Sequence, residues 1–177
     1  MAKDRDLKDF ILRLQKMNSN FDFIRKRSVA VGWVDGNKTH ADYKAGKKHA
    51  KGKPASLAMI ARILNYGTMP QMRPDGSVSQ RIPPRPFMQT MVSEYGDYLN
   101  KVAVAEAKKI VNGTGNSADF FKNFGIRAKG ALKRSMMRSE LYAPNAESTI
   151  RRKKSSRPLI DTGTLINSAD YEVRVNK

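Results

Sequence analysis

The stretch that decides the fold lies at residues 88–110 and reads MQTMVSEYGDYLNKVAVAEAKKI. Its apolar positions recur at intervals of three and four for about six turns, which is the spacing of one face of an α-helix. The pattern ends at Asn112-Gly113-Thr114-Gly115-Asn116, a composition typical of turns. The sequence therefore predicts a long amphipathic helix over this stretch.

A second long helix is predicted after this turn. Ser117 is a suitable N-cap, and apolar residues continue at helical spacing as far as Met136. Gly125 and Gly130 fall inside the pattern, where each weakens a helix by about 1 kcal/mol relative to alanine. Either glycine is therefore a candidate for a place of close packing.

Two further helices are predicted nearer the start of the chain. The first covers residues 4–27, and we expect its apolar stripe to pack on a core. That stripe consists of Leu7, Phe10, Ile11, Leu14 and Met17. The second is short: Pro54 and Ser56 can open it, it covers residues 57–64, and Gly67 can end it as a C-terminal cap.

Two segments alternate apolar and polar residues, as half-buried strands do. They are residues 28–34 and residues 169–175; in the second, we expect Tyr171, Val173 and Val175 to share the buried face with Ala169. The predicted fold class is α+β, with two long amphipathic helices plus shorter helices packed on a small, mainly antiparallel sheet that joins the two strands. No linker or repeat is visible, so residues 1–177 are predicted to be a single domain.

Two segments of this domain are predicted to lie outside regular structure. Residues 38–53 hold six lysines and no large aliphatic residue, which predicts a mobile basic loop. Residues 68–86 hold five prolines and the turn Pro74-Asp75-Gly76, which predicts an irregular excursion or a loose hairpin.

The chain carries 34 basic against 16 acidic residues, a formal net charge of +18 that favours a polyanionic partner. Residues 1–53 hold 14 basic and 6 acidic residues, and residues 101–177 hold 16 and 7. Residues 54–100 hold only four and three. The excess therefore belongs to two ends that flank a nearly neutral middle.

Two basic runs, residues 38–53 and residues 151–157, dominate these ends. Each run alone is equally well explained as a solvated surface that keeps the chain soluble, but two runs together favour contact with DNA phosphates. Neither run has the regular aromatic interleaving of a base-stacking surface, so no reading of base sequence is expected. The expected DNA-proximal residues are Lys38, Lys44, Lys47, Lys48, Lys51, Lys53, Arg151, Arg152, Lys153 and Lys154.

Residues that could support catalysis or bind a metal are scarce. The absence of cysteine excludes disulfides, thiolate metal sites and cysteine nucleophiles. His40 and His49 lie in the predicted basic loop, where the surrounding positive charge opposes a metal cation. We therefore expect no catalytic residues, no metal and no cofactor, and we do not expect an enzyme.

One string does match a catalytic motif. Leu159-Ile160-Asp161-Thr162-Gly163 has the Asp-Thr-Gly of aspartic proteases, but too few residues follow it to supply the strands of a substrate cleft. A hydrolase built on Asp161 is therefore the weakest of the functional hypotheses. The structural alternative is that Asp161 or Thr162 caps a short turn or helix over residues 164–169.

Four strings follow one another in a specific order. They are Val29 to Trp33, Leu64-Asn65-Tyr66-Gly67, Ile82-Pro83-Pro84-Arg85-Pro86-Phe87-Met88, and the closing Arg157-Pro158-Leu159-Ile160-Asp161-Thr162-Gly163-Thr164-Leu165 with Tyr171-Glu172-Val173. Over residues 28–175 they resemble a family of tailed-bacteriophage head–tail joining proteins, also called tail-completion, minor tail or virion morphogenesis proteins. The chain departs from the family pattern in the lysine-rich residues 38–53 and in residues 68–81.

The resemblance implies a structural virion protein without catalysis, made in the host cytoplasm. It would form a ring of copies of itself, six in number, at the neck or at the head-proximal end of the tail. Its partners would be neighbouring neck or tail-tube proteins and genomic DNA held through phosphate contacts. We expect no membrane partner, because no apolar run approaches the ~18–20 residues of a membrane span.

The resemblance also implies structural roles for three of the strings. Proline on both sides of Arg85 would fix the start of the long helix, and the second string would end the short helix. The residues concerned are Gly67, Pro83, Pro84, Arg85, Pro86 and Phe87, and for the closing structural turn Pro158, Asp161, Thr162 and Gly163. The alternative function is a free basic nucleic-acid-binding protein without sequence specificity, whose affinity would fall steeply with salt.

Overall fold

A computed structural model describes residues 2–34, 56–79 and 82–176, and it confirms the predicted α+β fold class. The predicted basic loop, residues 38–53, lies outside the described residues. The elements follow the chain in this order: α1 (Ala2–Arg25), β1 (Arg27–Gly32), α2 (Leu57–Tyr66), β2 (Gln71–Met72), β3 (Val78–Ser79), α3 (Phe87–Val111), α4 (Ser117–Met137), a 3-10 turn (Ser139–Leu141), α5 (Glu147–Lys153), α6 (Thr164–Asn167) and β4 (Asp170–Val175).

The strands form two small sheets. β1 pairs with β4, as the alternating segments predicted, and just beyond them the Asn176 amide donates to the Lys26 carbonyl at 2.8 Å. β2 and β3 pair antiparallel in a hairpin, with Gln71 opposite Ser79. The excursion predicted for residues 68–86 is therefore a short hairpin followed by an extended approach to α3. Its turn is closed by the Ser77 amide, which donates to the Asp75 carboxylate at 2.9 Å.

The chain divides into two compact units. Unit 1 consists of Met1–Ala30, Gly96–Ala128 and Tyr171–Lys177, and unit 2 consists of Val31–Tyr95 and Lys129–Asp170. That residues 1–177 act as a single domain stays a prediction.

Unit 2 contains the larger hydrophobic core, which surrounds the start of α3. Phe87 is fully buried, and its ring meets the Trp33 ring edge-on at a centroid distance of 5.9 Å. The Trp33 indole N–H donates to the Leu165 carbonyl at 3.0 Å, so the polar atom of this large side chain is satisfied. The other buried members are Leu57, Ala61, Leu132, Met136, Tyr142, Leu159, Leu165, Ile166 and Ala169.

Both predicted ends of α2 are confirmed. The Ser56 hydroxyl accepts a hydrogen bond from the Met59 amide at 3.2 Å, which is the geometry of an N-cap. Gly67 ends the helix with φ of 76° and donates its amide to the Ile63 carbonyl at 2.8 Å. A left-handed φ of this kind favours glycine, which has no Cβ to clash.

Unit 1 is built around aromatic contacts between α1 and α4. The rings of Phe23 and Phe121 lie 6.0 Å apart, and Phe121 is buried. The predicted N-cap of α4 is wrong by one residue: Asn116, and not Ser117, accepts a hydrogen bond from the Asp119 amide, at 2.9 Å. The Ser117 amide donates instead to the Asn20 side chain at 2.9 Å, so α1 satisfies a free backbone group at the start of α4.

β4 contributes to unit 1 less burial than the alternation predicted. Tyr171 is half-buried, but Val173 and Val175 are exposed, so the expectation that they share a buried face is wrong. Tyr171 packs on Gly125: a Cβ added to that glycine would lie 2.2 Å from the Tyr171 ring.

This contact predicts opposite effects for two glycines of α4. Gly125→Ala should lower the free energy of unfolding by about 1–3 kcal/mol, because the added methyl group overlaps the Tyr171 ring. Gly130→Ala, in the same helix but with no side chain or neighbouring segment of the described residues within 4 Å of the added Cβ, should raise it by about 1 kcal/mol. Urea unfolding of the two variants checks this, and shifts of equal size and sign would contradict the packing.

Candidate functional site

The proline-flanked segment before α3 is held to the end of α2 by backbone and side-chain hydrogen bonds. The Arg85 amide donates to the Leu64 carbonyl at 3.0 Å. The Asn65 side chain, which is buried, accepts from the Met88 amide at 3.0 Å and donates to the Gln89 side chain at 3.1 Å. Asn65 thus satisfies a free amide in the first turn of α3. The two strings Leu64-to-Gly67 and Ile82-to-Met88 therefore form one connected corner of unit 2.

The side chain of Arg85 is buried at this corner, with 6% of its surface exposed. Its Nε donates to the Ala143 carbonyl at 2.9 Å, and its Nη2 donates to the Pro144 carbonyl and to the Asn145 side-chain oxygen, both at 3.2 Å. All three acceptors are uncharged. Burial therefore lowers the pKa of Arg85, since none of the described carboxylates forms an ion pair with the guanidinium.

Arg85 lines a cavity of about 370 Å³ within unit 2, which we call the Arg85 cavity. Among the residues that the structure describes, its cationic lining residues are Arg85, Arg152 and Lys153, and its acidic lining residue is Asp161. The rest of the wall is mainly aliphatic and hydroxylated: Leu57, Ile60, Leu64, Ile82, Pro83, Leu159, Leu165, Thr149, Thr162 and Thr164, with Asn145, Ala146 and Gly163.

The second basic run forms the end of a helix that the sequence did not predict. Arg151, Arg152 and Lys153 make up the last turn of α5, where positive charge is favourable, and Lys154 follows with a left-handed φ of 55°. The Lys154 amide closes the turn on the Ile150 carbonyl at 2.7 Å. The helix was missed because only Ile150 interrupts its polar sequence.

The four cations of this run do not face the same way. Arg152, which is exposed, and Lys153, which is half-buried, line the Arg85 cavity, whereas the exposed Arg151 and Lys154 do not. The Lys153 ammonium donates to the Arg157 carbonyl at 3.1 Å. Burial lowers the pKa of Lys153, and the charges of Arg85 and Arg152 lower it further, against an opposing effect of Asp161.

The Leu159-to-Gly163 string is a tight connection between α5 and α6. Pro158 and Leu159 are buried, and Leu159 has a φ of 61°, which is strained for a branched residue. Asp161 and Thr162 are exposed, and neither caps α6: its N-cap is Gly163, with φ of 77° and no side-chain hydrogen bond. The predicted capping role of Asp161 or Thr162 is therefore wrong.

The remaining predicted DNA-proximal residues cannot be placed. Lys38, Lys44, Lys47, Lys48, Lys51 and Lys53 all lie outside the described residues, as do His40 and His49. The structure therefore brings together only part of the predicted set, Arg151 to Lys154. Contact of these residues with DNA stays a prediction.

The first half of α1 presents apolar side chains to solvent, and the expectation that its stripe packs on a core is wrong. The exposed fractions are 58% for Leu7, 57% for Phe10, 44% for Ile11, 61% for Leu12 and 39% for Leu14. The second half differs, since Met17, Asn20 and Ile24 are half-buried. Helical periodicity identified the stripe correctly, but periodicity does not reveal whether the surface that covers it belongs to the same chain.

Two kinds of site are not found among residues 2–34, 56–79 and 82–176. No helix there carries an apolar stretch long enough to cross a membrane. No group of three or more acidic or histidine side chains there is placed to hold a metal ion.

Comparisons of the chain with family models, with curated proteins and with solved structures give no match.

Proposed function

We propose that this chain is a structural subunit of a tailed-bacteriophage virion. It joins copies of itself in a ring, of six subunits, at the neck or at the head-proximal end of the tail, and it acts in tail completion or head–tail joining. The resemblance of the four ordered strings in residues 28–175 to head–tail joining proteins supports the position in the virion. The main support for the role of an assembly subunit is the exposed apolar face of α1, formed by Leu7, Phe10, Ile11 and Leu14.

This face has the properties of a protein interface. Large apolar side chains at spacings of three and four form one continuous strip along the helix, and a strip of this kind is a common mark of a contact surface. Each such side chain contributes about 1.5–3 kcal/mol when it passes from full exposure to full burial. A partner that covers the strip would therefore gain a substantial part of the free energy that association needs.

A ring requires that each subunit contact its neighbour through two different surfaces. A contact between unlike surfaces repeats around an axis and closes into a ring when the rotation fits. The strip on α1 supplies one such surface. The net charge of +18 on each copy suits a position close to DNA. DNA presents about one negative charge per 1.7 Å of its axis, and its phosphates attract Arg151 and Lys154 without any reading of base sequence.

The proposal predicts that two charges on the strip abolish self-association. Leu7→Glu combined with Phe10→Glu should make the chain monomeric, because burial of two carboxylates in an apolar contact is strongly unfavourable. The fold should remain intact, since both side chains are more than half exposed. Sedimentation velocity over a range of concentrations measures the change, and circular dichroism checks the fold.

The matched control is Val104→Glu, an apolar-to-acidic change at an exposed position of α3. It should leave self-association unchanged. A wild-type chain that stays monomeric at its highest soluble concentration, or a double variant that associates as the wild type does, would contradict α1 as the assembly surface.

A further inference from the structure

The geometry points to the Arg85 cavity as a binding site for an aliphatic carboxylate, a ligand in which a carboxylate group is attached to a short hydrocarbon chain. This inference concerns unit 2 alone and goes beyond the proposed assembly role, which rests on α1. The carboxylate can come from an acidic peptide segment that carries an aliphatic neighbour, or from a free small acid.

One edge of the Arg85 guanidinium is available to a ligand. The Nε–H and the Nη2 group donate to Ala143, Pro144 and Asn145, whereas Nη1 has no acceptor among the described residues. In the same part of the chain no buried side-chain nitrogen or oxygen is without a partner, so Nη1 retains contact with solvent. Three hydrogen bonds to uncharged acceptors thus hold a buried cation in place while its Nη1 donors remain unused.

The charge around the cavity favours an anion. Within the described part of the chain, three cations, Arg85, Arg152 and Lys153, line it against one carboxylate, that of Asp161. Burial lowers the pKa of Lys153; the charge of Asp161 raises it, and the charges of Arg85 and Arg152 lower it, so the three cations are close enough to repel one another. A bound carboxylate would relieve this repulsion and would give the buried Arg85 the counterion that the described residues do not supply.

The walls determine what else the ligand carries. Leu57, Ile60, Leu159 and Leu165 present aliphatic surface, and none of the aromatic side chains that the structure describes lines the cavity. A nucleotide base would therefore find no ring of these residues to stack on. Inorganic phosphate would leave the aliphatic wall uncovered, whereas a hydrocarbon chain would fill it. A cavity of about 370 Å³ lies within the range of small-ligand sites.

The test is a titration of the full chain with hexanoate, in which NMR of the isoleucine and leucine methyl groups monitors binding. Hexanoate should cause saturable shifts of Leu57, Ile60 and Leu159, which line the cavity. Hexan-1-ol, which has the same number of carbon atoms without the charge, should bind at least about tenfold more weakly. The peptide acetyl-Leu-Glu-Leu-amide is the second ligand: tighter binding than hexanoate assigns the site to a protein segment, and weaker binding assigns it to a free acid.

Two variants separate this site from general attraction to a basic chain. Arg152→Gln combined with Lys153→Gln should weaken hexanoate at least about tenfold. Arg151→Gln, one residue away on α5 but outside the cavity, should leave the affinity within about twofold. Unchanged methyl spectra of the unliganded variants would show that both remain folded.

Failure of both hexanoate and the peptide to bind would overturn the inference, and so would any of three other results. They are equal binding of hexanoate and hexan-1-ol, inorganic phosphate that displaces hexanoate at equal concentration, and equal losses of affinity in the Arg151 variant and the cavity variant.

Discussion

Phe87→Ala is expected to lower the free energy of unfolding by about 3–5 kcal/mol, one of the two largest effects that the structure predicts. Phe87 has no exposed surface and lies edge-on against Trp33, so its removal leaves a cavity in the core of unit 2. The Phe87 carbonyl accepts a hydrogen bond from the Ser135 hydroxyl at 2.9 Å, and the alanine variant keeps this backbone acceptor. The loss therefore measures side-chain packing.

Urea unfolding followed by tryptophan fluorescence is the suitable measurement, because Trp33 is the only tryptophan in the sequence and lies next to the substituted ring. The control is Tyr66→Ala, which removes an aromatic ring that is 64% exposed at the end of α2. That variant should stay within about 0.5 kcal/mol of the wild type. A loss below about 1 kcal/mol for Phe87→Ala would contradict the central position of this residue.

Arg85→Ala is expected to lower the free energy of unfolding by about 2–4 kcal/mol. The substitution removes the donors that satisfy the Ala143 and Pro144 carbonyls and the Asn145 side chain. Part of this cost is offset, because a buried charge without an ionic partner is itself unfavourable. The effect should therefore be smaller than the sum of three charge-assisted hydrogen bonds.

Arg85→Lys separates geometry from charge. An ammonium group keeps the positive charge but cannot reach three acceptors arranged around a planar guanidinium, so the lysine variant should lose almost as much stability as the alanine variant. Thermal unfolding provides the comparison, with Arg62→Ala, an exposed arginine of α2, as the control that should change little. Wild-type stability of Arg85→Lys would show that the hydrogen-bond geometry is not what matters.

Local patterns predicted the regular elements well. The apolar spacing of residues 88–110 identified α3, and the alternation around residues 29–33 and 169–175 identified the two strands that pair. Ser56 and Gly67 marked the ends of α2, because capping depends on chemistry within one turn. The position of the α4 cap was wrong by one residue, since Asn116 and Ser117 are both good caps and only the fold selects between them.

Features that depend on distant partners were not predictable in the same way. The stripe on α1 has the same spacing as a buried one, yet it faces solvent in the described structure. Val173 and Val175 alternate as a buried face would, and they are exposed as well. α5 was missed because its polar sequence resembles a loop, although its last turn places Arg152 and Lys153 at the cavity.

The candidate site was visible only in part. Arg85 stands in the nearly neutral middle of the chain between two prolines, which predicted a structural role for its backbone and gave no sign of its buried guanidinium. Its acceptors Ala143, Pro144 and Asn145 are nearly 60 positions further along the chain. A sequence pattern within one segment cannot reveal such a contact, so the cavity became apparent only in three dimensions.

The assembly role is tested most directly by electron cryo-microscopy of the virus particles that contain this chain. The proposal predicts a closed ring of copies of the chain at the junction of head and tail, with α1 of each copy covered by its neighbour and the basic ends directed toward the DNA. Particles in which heads and tails join normally without this chain would contradict it, and so would a chain found only free or bound along nucleic acid.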